Sequence, residues 1–245
     1  MQTLTRVKSK VNEVKEIKEM TNNISDKLSN LYKKIDNFTN VDGVMKEEIR
    51  LLIISLIINK FGLTLTLPWK EAILEKKMLK MLSKKMRFLA YEKNKNVYFE
   101  LCKLIGEERL PISAILGNIG DAIFAAKEDE FSNIMLDYCG VLDTFADEIE
   151  YAIKNNIMQV NGLMAITLSK IGLRNSQGII GEIFKIMPKK LFNSELGETE
   201  LGCKLFLNKV LTKNYEVIDV KNYYDTKEDG TRGMAMICLL IRRIA

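Results

Sequence analysis

Val14, Ile17, Ile24, Leu28, Leu31, Ile35 and Phe38, with Thr21 in phase, recur at alternating spacings of 3 and 4 residues. That is the period of a heptad seam, and it predicts one long helix. Leu4, Val7 and Val11 extend the pattern toward the N-terminus, with one three-residue hitch at Val14. A seam of about five heptads has to pack against a partner helix or the rest of its own chain. Self-association through Val14, Ile17, Ile24, Leu28, Leu31 and Ile35 is the expectation that follows. Thr39–Gly43 ends the helix, so the chain divides into residues 1–42 and a globular part, 43–245.

The rest of the chain also reads as helical. Residues 44–60 contain the run LLIISLII, which is apolar on nearly all sides and predicts a central core helix. It is far short of the ~20 apolar residues that span a bilayer. Phe61–Leu67 alternates briefly and could be extended. Pro68 suits the first turn of a third helix running to about Tyr91, with Trp69 as its core anchor. Further helices are predicted over 97–105, 111–126, 131–153, 162–171, 176–187 and 198–211. Residues 213–245 read either as a terminal hairpin, with Asp229-Gly230 as its turn, or as a last core helix. The fold class expected is therefore all-α, a bundle of about nine helices.

Charge is unevenly spread. Residues 1–95 carry a net +9 and residues 96–245 a net −4. The basic half culminates in KKMLKMLSKKMR, with no acidic residue between 76 and 91. On a helix, Lys76, Lys80, Lys84 and Arg87 fall on one stripe, joined by Lys77 and Lys85. Such a stripe suits nucleic acid, an acidic protein or an anionic membrane surface. With 29 lysines against 8 arginines, reading of base edges is disfavoured, because arginine's planar fork is the better tool.

The chain contains no histidine, which excludes Ser-His-Asp and Cys-His catalysis and histidine-ligated metals. Cys102, Cys139, Cys203 and Cys238 lie 37, 64 and 35 residues apart in apolar surroundings. They read as buried free thiols of a reducing, cytoplasmic compartment rather than as a zinc site. The N-terminus lacks the apolar stretch of a signal peptide. Asp143, Asp147 and Glu150, with Glu148 nearby, share a helix face, but no second carboxylate motif completes a metal shell. Tyr215, Tyr223, Tyr224 and Lys221 read as a hairpin surface. No GxxxxGK[ST], GxGxxG or GxSxG occurs, so no cofactor motif, catalytic residue or metal site is assigned.

The reading that results is a non-enzymatic helical protein. It self-associates and binds an anionic partner, nucleic acid first, through the basic helix. A helical adaptor or inhibitor is the second reading, and a membrane-surface or pore-forming helical protein the third.

Overall fold

In the computed structural model of the chain, a strand alternates with a helix almost throughout. The residues described are 44–68, 70–138, 140–169, 195–226 and 232–245. They belong to one compact unit, Gly43–Ala245. β1 (Val44–Met45) leads into α1 (Lys46–Leu56). Then follow β2 (Leu63–Thr66), α2 (Ile73–Met81), β3 (Arg87–Glu92) and α3 (Lys95–Glu108). β4 (Ile112–Leu116), α4 (Ile119–Ala125), β5 (Asn133–Asp137) and α5 (Leu142–Lys154) continue the alternation. β6 (Leu163–Ser169), α6 (Glu195–Val210), β7 (Tyr215–Thr226) and β8 (Arg232–Arg243) complete it.

The strands form one sheet in the order β1-β7-β8-β6-β5-β2-β3-β4. β4, β3, β2, β5 and β6 run parallel, and β8 lies antiparallel between β6 and β7. A parallel sheet needs both faces covered. β6 shows it, with all seven residues buried. Leu163 and Ala165 of β6 join Cys238 and Leu240 of β8 in the core beneath α1, α2 and α3, where Ile49, Ile53, Met78 and Leu101 pack. The alternate residues, Met164, Ile166, Leu168, Ile237, Leu239 and Ile241, are buried on the opposite face.

Two polar anchors hold the amino-terminal edge of the sheet. Buried Asn133 donates to the Asn59 carbonyl at 2.8 Å and accepts from the Leu163 N–H at 3.1 Å, tying β5 to the entries of β2 and β6. Arg243, at the end of β8, donates to the carbonyls of Asn156 and Met158 and to Asp129, at 2.5–2.7 Å. Its second ion pair is Glu128, at 3.4 Å. Buried arginine is stable here because every polar edge of the guanidinium has an acceptor.

The all-α expectation is therefore wrong. The helix expected to run from Pro68 to Tyr91 stops at Met81, and residues 87–92 are β3. The segment 111–126 is β4 and α4, and 131–153 is β5 and α5. The helix expected over 162–171 is replaced by β6 at residues 163–169. α1 is not buried on all sides as a central core helix would be: Ile49, Ile53 and Ile54 are buried, while Leu51 is exposed. The C-terminal strands are not a hairpin appended to a bundle, because β8 is an interior strand of the sheet. The seam residues Val14, Ile17, Ile24, Leu28, Leu31 and Ile35, the segment 176–187, Trp69 and Cys139 lie outside the described residues.

Removing the arginine anchor should be costly. Arg243→Met leaves Asp129 and two carbonyls without their donor, a loss of about 3 kcal/mol or more. For a unit of this size that lowers Tm by roughly 6–12 °C. A thermal melt of the variant beside the parent checks it, and an unchanged Tm would contradict the anchoring role.

Candidate active site

β2 is the strand at which the sheet changes direction. It pairs with β3 on one side and β5 on the other. Connections leaving its two neighbourhoods pass to opposite faces, which among the described residues opens a crevice at the carboxyl ends of β2 and β5. A crevice at such a switch point is where open α/β sheets bind ligands. Here it is a cleft of about 820 Å³. Ile49, Leu67, Met135, Leu136 and Ala165 contribute its apolar walls, while Lys46 and Arg50 of α1 reach it from one side.

Its polar groups come from the strand ends. Glu92 closes β3 and accepts from the Asn94 N–H at 2.6 Å through one carboxylate oxygen, leaving the other for a ligand. Asn118, which caps α4, accepts from the Gly120 N–H at 3.3 Å and keeps its amide N–H groups for the cleft. Asp137 closes β5, accepts from the Thr167 hydroxyl and pairs with Lys46 at 3.4 Å. Four carboxyls line the cleft against three cations: Glu71, Glu75, Glu92 and Asp137 face Lys46, Arg50 and Lys93.

The connection from β2 to α2 contains no glycine; it reads Leu-Pro-Trp-Lys-Glu-Ala. The turn into α2 is made by Ala72, held at φ 46°, ψ 42°. A non-glycine residue in the left-handed region carries a cost of roughly 1–2 kcal/mol, so surrounding packing imposes it. In the first turn of α2, Glu75 is buried and accepts from the Thr66 hydroxyl. Burial pushes its carboxyl above the ordinary value of 4.5, and the Thr66 hydrogen bond only partly offsets this.

Beyond Asp137, Tyr138 stacks flat on Phe145, with ring centroids 3.7 Å apart and planes 9° from parallel. Gly140 makes room for that ring, since a Cβ there would stand 2.7 Å from it. The Tyr138 hydroxyl donates to Glu148 of α5, and the carboxylate leans over Gly120, where a Cβ would lie 2.5 Å away. Burial raises the Glu148 pKa, against the Tyr138 hydrogen bond, and neighbouring Asp121 and Asp147 raise it further.

The structure does not align Lys76, Lys77, Lys80, Lys84 and Arg87 on one helix. Lys76 pairs with Glu108 at 3.1 Å and Lys77 pairs with Glu47. Lys80 lies in the last turn of α2, Lys84 sits in the following turn, and Arg87 opens β3, all three exposed. Asp143, Asp147 and Glu150 do lie on α5, but Glu150 pairs with Lys154 and no metal-ligating group of three forms among the described residues. Glu92, Asn118 and Asp137 drew no attention as sequence. Each is the polar residue just at or past the end of an apolar run, a signal visible only once those runs are recognised as strands.

No protein-family model matches the chain, and no curated protein matches it in sequence. Solved structures do match. One is a Clostridium thermocellum protein provisionally described as an rRNA methylase, with TM-score 0.51 and 10% identity, covering 84% of this chain and 98% of that one. Another is provisionally described as a methyltransferase, from Escherichia coli, with TM-score 0.51 and 11% identity over 84% of this chain and 89% of that one. A third, provisionally described as an O-methyltransferase, is from Klebsiella pneumoniae, with TM-score 0.51 and 9% identity over 84% of this chain and 83% of that one.

The chain shares the Rossmann-like α/β fold of these structures. That fold overturns the reading as a helical binding protein, along with its helical adaptor and pore-forming alternatives, because each of them rests on an all-α bundle. Among the described residues, no helix is long and apolar enough to cross a membrane.

The two buried carboxyls fix a sign for pH dependence. Both Glu75 and Glu148 hold their protons more tightly folded than unfolded. Their stability contribution is therefore full below 4.5 and erodes as pH rises through the raised folded values. Glu75→Gln keeps an acceptor for Thr66 and removes the ionisation. Urea midpoints of variant and parent should nearly coincide at pH 4.5 and separate in favour of the variant by pH 8. A variant that is less stable at pH 8 would contradict this account.

Proposed function

We propose that the chain is a methyltransferase that takes its methyl group from S-adenosylmethionine bound in the cleft at the carboxyl ends of β2, β3 and β5. The observation that carries this reading is Glu92, a carboxylate at the end of the strand next to the switch strand. That is the position from which an acidic side chain grips the ribose hydroxyls of a nucleoside in doubly wound folds. The Asn118 amide supplies donors for an adenine ring, and Leu67 and Ile119 supply apolar cover.

The β2–α2 connection supports this donor over a dinucleotide. Glycines in that turn let backbone approach a pyrophosphate at the helix N-terminus. Here the turn has none, and Glu75 in the first turn of α2 disfavours a phosphate there. S-adenosylmethionine has no phosphate, and its sulfonium is a cation that suits a cleft with a carboxyl excess. Bound there, it would supply an electrophilic methyl group.

The chain's own residues then have three tasks. Glu92 and Asn118 hold the nucleoside. Asp137, across the switch point, would accept a hydrogen bond from the N–H or O–H of the acceptor, turn the acceptor's own lone pair toward the methyl carbon and take up the proton the acceptor releases. Lys46 and Thr167 hold that carboxylate in place. The Tyr138–Phe145 stack gives the acceptor a flat wall. Histidine-free chemistry suffices, since positioning does most of the work in such a displacement.

A reducing, cytoplasmic setting is part of the proposal. Cys102, Cys203 and Cys238 are free thiols, and burial pushes Cys203 up to about 12, so it stays protonated and inert.

Calorimetric titration of the full chain with S-adenosylmethionine tests the reading. Glu92→Ala should weaken binding roughly 10- to 100-fold, the worth of one or two hydrogen bonds to a charged acceptor. Asp137→Asn should retain donor binding within a few-fold and lose transfer to the acceptor. Undetectable binding by the parent chain at millimolar donor would refute the proposal.

A further inference from the structure

The opposite end of the sheet carries a second feature, which the cleft does not use. β2, β3 and β4 are neighbours, and their amino ends lie side by side about 4.8 Å apart. Each is entered from a short loop or first residue bearing exposed cations. Lys60 precedes β2, Lys84 and Lys85 precede β3, Arg87 opens β3, and Arg109 precedes β4. α2 runs back along the sheet and delivers Lys80 to the same rim. None of these six has an acidic partner among the described residues. The acids on this rim are taken already: Glu108 by Lys76 at 3.1 Å and Glu107 by Lys103 at 3.8 Å. Beyond β2 the sign reverses, with Glu128, Asp129 and Glu130 ahead of β5. The patch is thus confined to the β2–β3–β4 half.

Among these cations stand apolar side chains that a solvated edge would not need. Phe61, next to Lys60, is 63% exposed, and Met81, next to Lys80, is 55% exposed. Cations that track phosphates, with an aromatic face among them, are the composition of a surface for single strands. Four of the six are lysines, which bind phosphate as point charges and read no sequence.

We infer that the amino-terminal rim of β2, β3 and β4 docks single-stranded nucleic acid, through Lys60, Lys80, Lys84, Lys85, Arg87 and Arg109 with Phe61 as a stacking face. The inference does not depend on methyl transfer, because the rim and the cleft lie at opposite ends of the strands.

Fluorescence anisotropy of the full chain with a labelled 20-nucleotide RNA of mixed sequence, beside its DNA counterpart, tests it. Binding should be present at 50 mM salt. With about three to five phosphates contacted, it should weaken roughly 20- to 130-fold by 200 mM. Lys84→Glu, Lys85→Glu and Arg87→Glu together should cost at least about tenfold. Phe61→Ala should weaken binding about fivefold or more while leaving the salt slope unchanged. All these side chains are exposed, and thermal melts of both variants confirm folding. Should the triple reversal melt early, the same three positions changed to Gln give a milder loss of the same sign. No anisotropy change at 50 mM salt overturns the inference. So does binding that survives the triple variant, which would locate the contact elsewhere in the chain. A chain that sediments with anionic phospholipid vesicles but ignores RNA and DNA would make the rim a membrane contact instead.

Discussion

β2 is the strand on which the architecture turns. Its four residues pair with β3, and three of them, Thr64, Leu65 and Thr66, also pair with β5. Parallel strands joined by right-handed crossovers must send those crossovers to one face or the other. Because the sheet grows from β2 in both directions, α2 and α3 cover one face and α4 and α5 serve the other. Among the described residues a cleft opens at the carboxyl ends where the crossovers diverge, and it results from that topology rather than from any one side chain. The same geometry places the helix starts and the strand-end polar residues at the cleft. Glu92, Asn118 and Asp137 are on different strands or caps, yet they come to one place because all three follow parallel neighbours.

The physics that makes the sheet stable also concealed it in the sequence. Half-buried strands alternate apolar and polar residues, but these strands are buried on both faces. Leu163–Ser169 and Asn133–Asp137 are therefore short apolar runs with no period of two. Flanking helices have apolar residues at spacings of three and four, so a run such as Phe131, Ile134, Met135 and Tyr138 joined smoothly onto Leu142, Phe145 and Ile149. Length was the discriminating signal: a strand of five residues and a helix of thirteen were read as one long helix. Where no strand intervened, the reading was closer. α3 and α6 occur near the expected helices at 97–105 and 198–211. The cationic run at 76–87 misled for the same reason, since its last residue opens a strand and its middle is a turn.

The candidate site was illegible for a different reason. The familiar signal for a nucleoside site in this architecture is a glycine-rich turn after the first crossover strand, and this chain has none. Ala72 adopts the left-handed backbone that glycine would normally supply. Packing around a fully buried methyl group overrides local preference, and no pattern of residue types announces that. The absence of histidine pointed away from an enzyme only because the hydrolytic chemistries considered depend on it. Methyl transfer from a sulfonium asks for alignment and a carboxylate, both of which a histidine-free chain can supply.

The cleft is held together by groups that work against stability. Glu75 and Glu148 are buried carboxyls, each accepting from a hydroxyl, Thr66 and Tyr138 respectively. A chain under selection for stability alone would place amides or aliphatic residues at such positions. Glu148 supports the tyrosine that stacks on Phe145 and so sets the wall beside Asp137. Glu75 lines the cleft beside the carboxyl end of β2, where a cationic ligand would relieve its burial by forming a pair. The energetic cost of these carboxyls is thus concentrated at the end of the sheet where the cleft opens. At the other end Arg243 and Asn133 bridge the carbonyls of Asn156, Met158 and Asn59 and fasten the strands. Such a division, with a hydrogen-bonded base under a cleft that carries the buried carboxyls, lets the cleft accommodate a ligand without loosening the sheet that positions it.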